Sequence, residues 1–192
     1  MNLAIDCFKL IKEDPDNEEL YALVKSLVAY LGLENKKRDL EHHIMILGNE
    51  SNQEDLDVDG TSFLLMDGDP TDSRYLFYWE TFGVAAMAPK LECDRVFYPS
   101  GRLPVRYNGS QTSLLFAHLS PGDSLPHPEL MRRFYSSARR ADRVITVDRG
   151  IEERMLQKVP GVEPRMKLLE DLGDHRAGLN ELGEWWAELF RN

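Results

Sequence analysis

MNLAIDCFKLIK at residues 1–12 and ARRADRVITVD at residues 138–148 decide how this chain is read. Each holds a short apolar run, residues 3–8 in the first and 144–147 in the second, without the alternation of a strand that has one wet face. Strands apolar on both faces are parallel strands covered by helices on either side. Working outward, further runs of this kind recur at 44–47, 61–66, 95–98, 113–117 and 166–169.

Between these runs the apolar residues follow helical spacing. Leu20, Leu23, Val24, Leu27, Val28 and Leu31 predict a helix that starts at Asp14-Pro15 and ends at Gly32. Leu76, Phe77, Trp79, Phe82, Ala86 and Met87 predict one long helix over 72–91, and further helices are expected at 128–141 and 152–159. The tail 179–190 puts Leu179, Leu182, Trp186, Leu189 and Phe190 on one face, so it should pack against the rest. Residues 48–60 and 102–111 read as polar loops. The alternation implies an α/β protein: a single doubly wound, mainly parallel, Rossmann-like sheet with helices on both faces. Residues 1–170 form its domain, and 171–192 are a C-terminal helix packing back onto it.

Composition narrows the function. A chain of 192 residues can bury a sizeable core. Its net charge of -10 argues against binding nucleic acid or an anionic membrane, since both need a basic face. The basic runs at 36–38 and 139–140 are too short to change that. No apolar run approaches the roughly 20 residues that span a bilayer. The first strand carries Asp6 and lacks a leader pattern, so a cytoplasmic protein is expected. The two cysteines, Cys7 and Cys93, match no metal or redox spacing, and no cofactor is expected.

Several stretches, in order, resemble one enzyme family. MNLAIDCFKLIK, CDRVFYPSGRLPV at 93–105, SLLFAHLSP at 113–121, and ARRADRVITVD followed by GIEERML are similar to the acceptor-side half of family-four glycosyltransferases of the GT-B fold. The tail LGEWWAELF at 182–190 resembles their last helix, which crosses back onto the first domain. The resemblance implies half of a GT-B fold. Joined without a donor-side half, it implies an excised or redesigned domain, an engineered or de novo designed scaffold.

The departures from the family pattern shape the functional expectation. The family's glycine-rich turn after the first strand is replaced by EDPDNEEL at 13–20. Glu13, Asp14, Asp16, Glu18 and Glu19 would stabilise a bare helix start and repel a diphosphate. With Leu119-Ser120-Pro121 aligned to the family, Ala117 stands at its histidine and His118 at its aspartate, which makes His118 a vestigial catalytic candidate. Asp148 and Arg149 replace a serine and an acidic residue, and the paired-glutamate donor site has no counterpart. The resemblance therefore implies a folded scaffold without complete catalysis and without nucleotide-sugar binding in the absence of a donor domain. A transferase subunit working with a separate donor domain is the alternative, and self-association through the former domain face is a third reading.

Other motifs carry chemistry of their own. SFLLMDGDPTD at 62–72 resembles the nucleophile loop of haloacid-dehalogenase-type phosphatases, with Asp67 as nucleophile and Asp69 as acid/base beside Mg²⁺. Thr146 and Lys167 would then serve as phosphate binders. Against this, a strand–helix–strand unit precedes the motif and Pro70 interrupts it, so an acidic turn is the plainer reading. Asp55, Asp57, Asp59 and Gly60 match the opening of a calcium loop, but Met66 takes the position of its bidentate glutamate. His42 and His43 are adjacent and diverge along a strand, and His127 and His175 read as solvated. Of Trp185 and Trp186, one is expected in the core and one partly exposed as a docking ring. Asn49-Glu50-Ser51 and Asn108-Gly109-Ser110 are glycosylation sequons that matter only in a secreted chain.

Overall fold

The computed structural model describes residues 1–105, 111–117, 128–169 and 179–190. Its strands are β1 (Asn2–Asp6), β2 (His43–Gly48), β3 (Ser62–Leu65), β4 (Arg95–Tyr98), β5 (Thr112–Phe116), β6 (Arg143–Thr146) and β7 (Met166–Leu168). Its helices are α1 (Glu18–Lys37), α2 (Gln53–Leu56), α3 (Ser73–Thr81), α4 (Gly83–Met87), α5 (Pro128–Arg140), α6 (Arg149–Lys158) and α7 (Leu179–Phe190). All seven strands pair in parallel, in the order β3-β2-β1-β4-β5-β6-β7. The fold is an α/β, Rossmann-like one.

Successive side chains on a strand point to opposite faces, and the core divides accordingly. Leu3, Ile5, Ile44, Ile46, Phe97, Leu114, Phe116 and Ile145 face α1, α2 and α7. Ala4, Met45, Leu47, Val96, Tyr98, Leu115, Ala117 and Val144 face α3, α4, α5 and α6. Trp185 of α7 anchors the first face, edge-on to Phe97 at 5.6 Å and to Phe116 at 5.2 Å between centroids. Arg95 donates from its guanidinium to the Leu189 carbonyl (2.9 Å), satisfying one of the acceptors left open in the last turn of α7. No helix among the described residues is long and apolar enough to cross a membrane.

The structure corrects the sequence reading in five places. α1 starts at Glu18, not at Asp14-Pro15, because the Asp14 carboxylate instead accepts from the Asp16 amide (3.1 Å) and the Asn17 side chain (2.8 Å) and closes a turn. α1 also runs through Gly32, which allows close packing: a Cβ there would lie 2.4 Å from the Asp59 carbonyl oxygen. The long helix expected over 72–91 is two helices, broken where Phe82 leaves the helical region at φ -127°. The stretch 48–60 contains α2, and both Trp185 and Trp186 are buried, with the Arg38 guanidinium 4.9 Å from the Trp186 ring centroid. Asn49 of the sequon is also buried, with its amide engaged inside the protein.

That amide belongs to a buried polar clasp that takes the place of the missing glycine turn. The Asn49 side chain donates to the carbonyls of Phe8 (2.7 Å) and Leu10 (3.1 Å), and Asn52 donates to those of Cys7 (2.9 Å) and Leu10 (2.6 Å). The Asn52 side-chain oxygen accepts from the Asn49 amide nitrogen (3.0 Å). Two asparagines therefore satisfy the acceptors of an irregular, buried connection after β1. Asn52→Ala strands these groups and should cost about 2–4 kcal/mol, lowering the melting temperature by roughly 5–15 °C in a thermal scan.

His42 stacks on Phe190 at 4.3 Å, and its Nδ1 has no partner among the described residues. Burial holds its imidazole below the ordinary 6.5, assisted by the N-terminus, Arg38 and Arg95 and opposed by Glu41. The unfolded chain takes up the proton first, so stability is full above 6.5 and declines as pH falls through the window beneath it. Replacing His42 with Phe should flatten this part of a melting-temperature profile recorded between pH 4 and 8.

Candidate functional site

In a sheet of this order the connections leave β1 and its neighbour β4 toward opposite faces, which opens a crevice at their C-terminal ends. β1 leads to α1, whereas the chain after β4 runs onto the other face, where the Leu103 amide donates to Ser137 Oγ of α5 (3.1 Å). Gly101 makes that turn at φ +71°, a conformation that favours glycine. The Arg140 guanidinium fixes the same segment by donating to the carbonyls of Pro104 (2.9 Å) and Val105 (3.3 Å). Between α3 and α5, over the end of β1, lies a cleft of about 440 Å³.

Its polar lining comes from four separate parts of the chain. Asp6, the last residue of β1, is 4% exposed and accepts from the Trp79 indole nitrogen (3.1 Å). Burial pushes its carboxyl above the ordinary value, opposed by Lys9. Burial likewise lowers the Lys9 ammonium, although Asp6 and Glu80 pull it back up. Glu80 Oε1 accepts from Arg102 at 2.8 Å and from Lys9 at 3.4 Å, and its Oε2 lies 4.0 Å from a guanidinium nitrogen of Arg133. Burial alone would raise Glu80, but Lys9 and Arg102 together outweigh it and hold the carboxyl below its ordinary value. The rim is apolar: Phe77 is 70% exposed and Val105 68%. A cleft of this volume with a few convergent charges suits a small molecule, and its excess of cations favours an anionic one.

The residues singled out from the sequence lie elsewhere. Asp67 and Asp69 are exposed just beyond β3, an edge strand of the sheet. Asp69 accepts from the Thr71 amide (2.7 Å) and hydroxyl (2.6 Å), which hold its carboxyl below the ordinary value. The Tyr75 hydroxyl donates to the Asp67 carbonyl. Thr146 is buried in β6 with its hydroxyl on the Ala117 carbonyl (2.9 Å), and Lys167 is on β7 at the opposite edge. Four strands separate β3 from β6, roughly 24 Å at ordinary strand spacing, so Thr146 and Lys167 do not gather with the aspartates. Asp55 pairs with Lys25 (2.7 Å) and Asp59 with Lys36 (2.9 Å), so these carboxylates of the calcium-like run serve as lysine partners. Asp148 accepts from the Ile151 amide (3.0 Å) as the cap of α6. His118, His127, His175 and Asn108 lie outside the described residues.

Lys9, Glu80, Arg102 and Arg133 form a constellation that the sequence did not single out. Each reads alone as a solvated charge, and only the reversal of strand order brings them together.

Comparison with known proteins gives a likeness of fold. No protein-family model matches the chain, and no curated protein matches it. Among solved structures, the fold aligns with a glycosyltransferase from Rickettsia africae ESF-5, with a TM-score of 0.54 at 12% identity. The alignment covers 88% of this chain and 42% of that one, so this chain spans less than half the length of its neighbour. At this identity the likeness is one of fold.

An acid whose folded value is raised makes the folded state bind its proton more tightly than the unfolded chain does. The contribution of Asp6 to stability is therefore most favourable below 3.8, declines as pH rises through its folded value, and stays unfavourable at neutral pH. Asp6→Asn, which can still accept from Trp79, should raise the melting temperature at pH 7 and leave it nearly unchanged at pH 3. A buried carboxylate held above its ordinary value at a cleft makes Asp6 a candidate functional group.

Proposed function

We propose that this chain is a glycosyltransferase-like α/β domain serving the acceptor side of sugar transfer. It holds a small, hydroxylated, anionic molecule in the cleft between β1 and β4 while another domain or chain carries the sugar donor. The observation that supports this best is the convergence of Lys9, Arg102 and Arg133 at the strand-order reversal, in a chain whose net charge is -10. A cationic site in an acidic protein is a local arrangement that average composition does not produce. Asp6 lies at the floor of the same cleft, where its carboxylate is suited to accept a hydrogen bond from a ligand hydroxyl.

The fold likeness to a glycosyltransferase favours sugar chemistry, and the acidic first turn of α1, with Glu18 and Glu19, disfavours a diphosphate at that helix. The chain alone is therefore not expected to bind nucleotide sugars or to transfer sugar. A thermal-shift panel tests the reading with glucuronate, glucose 6-phosphate, a nucleotide sugar, and Mg²⁺ with inorganic phosphate. Ligand at about 100 times its dissociation constant should stabilise by roughly 2.7 kcal/mol. The expected result is a shift with the anionic sugars that Arg102→Gln reduces, and none with the nucleotide sugar. A melt unmoved by every ligand would mean an inert scaffold. Mg²⁺-dependent phosphate release lost in Asp67→Ala would favour the phosphatase reading instead.

A further inference from the structure

One carboxylate in the cleft is the shared counter-ion of several cations. Glu80 has two oxygens for three cations from three different parts of the chain. Its Oε1 is shared between Arg102 and Lys9, while Oε2 and Arg133 stand 4.0 Å apart, beyond hydrogen-bond range. Arg102 also disfavours the charged form of Lys9, so the cations repel one another across this single acid. With Asp6 and Arg140 counted in, four basic side chains face two acidic ones, leaving two positive charges in excess.

We infer that Glu80 occupies the anion subsite of this cleft as an internal counter-ion, and that a phosphomonoester dianion displaces it from Arg102 and Arg133. The inference rests on the reading of the cleft as the ligand site and names its ligand more closely. A phosphomonoester presents three oxygens and close to two negative charges at neutral pH. That matches the three cations that share Glu80. Bidentate contact with a guanidinium suits phosphate as well as it suits carboxylate. The Glu80 side chain is 24% exposed, so it can turn toward water when the phosphate arrives, and that of Arg133 is 66% exposed and can close from the α5 side. The organic part of the ester then lies along the apolar rim of Phe77, Pro104 and Val105. Glu80 acts as a filter: a ligand must offer the cations more than a single carboxylate does.

Isothermal titration of the full chain with inorganic phosphate, glucose 6-phosphate and glucuronate tests this. Glucose 6-phosphate should bind more tightly than either of the others. Glu80→Gln, which removes the competing charge and keeps the shape, should tighten glucose 6-phosphate binding by at least about tenfold. Arg133→Gln should weaken it by at least about tenfold. A folded Glu80→Gln variant that binds the ester no more tightly than the parent, or more weakly, overturns the inference. Should that variant not melt cooperatively, Arg133→Gln decides, because its side chain is exposed and makes no close bond among the described residues. An unchanged affinity in Arg133→Gln overturns the inference. Binding of free phosphate without the ester overturns the assignment of an ester. Binding of glucuronate without either phosphate ligand overturns it too, yet leaves the cleft standing as the ligand site. Binding of none of the three removes both.

Discussion

Parallel strands cannot be joined by hairpins, so each must be followed by a crossover that passes over one face of the sheet. In this molecule the order runs β1, β2, β3 to one side and β4, β5, β6, β7 to the other. The crossovers therefore part between β1 and β4, and a crevice opens among the described residues at the ends of those two strands. Asp6 ends the first of them, and Arg102 lies four residues past the second. The asparagine clasp of Asn49 and Asn52 has its place in the same logic. With no glycine turn after β1, the irregular chain that leaves the sheet buries carbonyls that need donors, and β2's own connection supplies them.

The physical character of the two faces differs in a way that bears on function. The face beneath α1 and α7 is apolar and anchored by Trp185 among Phe97 and Phe116. The opposite face carries its polar atoms into the cleft, where burial raises the Asp6 carboxyl and lowers the Lys9 ammonium. Such groups oppose folding unless something else selects for them, and departures from good packing tend to gather where a protein works. The neighbour in fold, a glycosyltransferase of about twice this length, shares the scaffold alone, and the ligand is argued from the cleft itself.

Much of the architecture could be read from the chain because burial on both faces writes an unbroken apolar run into each strand. Residues 95–98 and 179–190 were placed as observed for that reason and for the helical spacing of the tail. Where reading failed, a contact across the fold had overridden a local signal. Gly32 looks like a helix end, yet it is the close contact that lets α1 pack on the Asp59 backbone. Phe82 carries no breaking signal, yet α3 stops there, one turn after Trp79 reaches Asp6. The site was hidden for a deeper reason. Asp67 and Asp69 draw attention because they are contiguous, whereas Lys9, Glu80, Arg102 and Arg133 are scattered over four segments. Strand order assembles those four, and hydrophobic period does not reveal strand order.

The crevice at the β1/β4 reversal is the proposed ligand site. The most direct measurement is an amide chemical-shift map of the isotope-labelled chain titrated with glucose 6-phosphate. Saturable shifts centred on Lys9, Glu80, Arg102 and Arg133 are expected, with the turn at Asp67 and Asp69 unmoved. Shifts centred on that turn, or spread without saturation over the surface, would contradict that assignment.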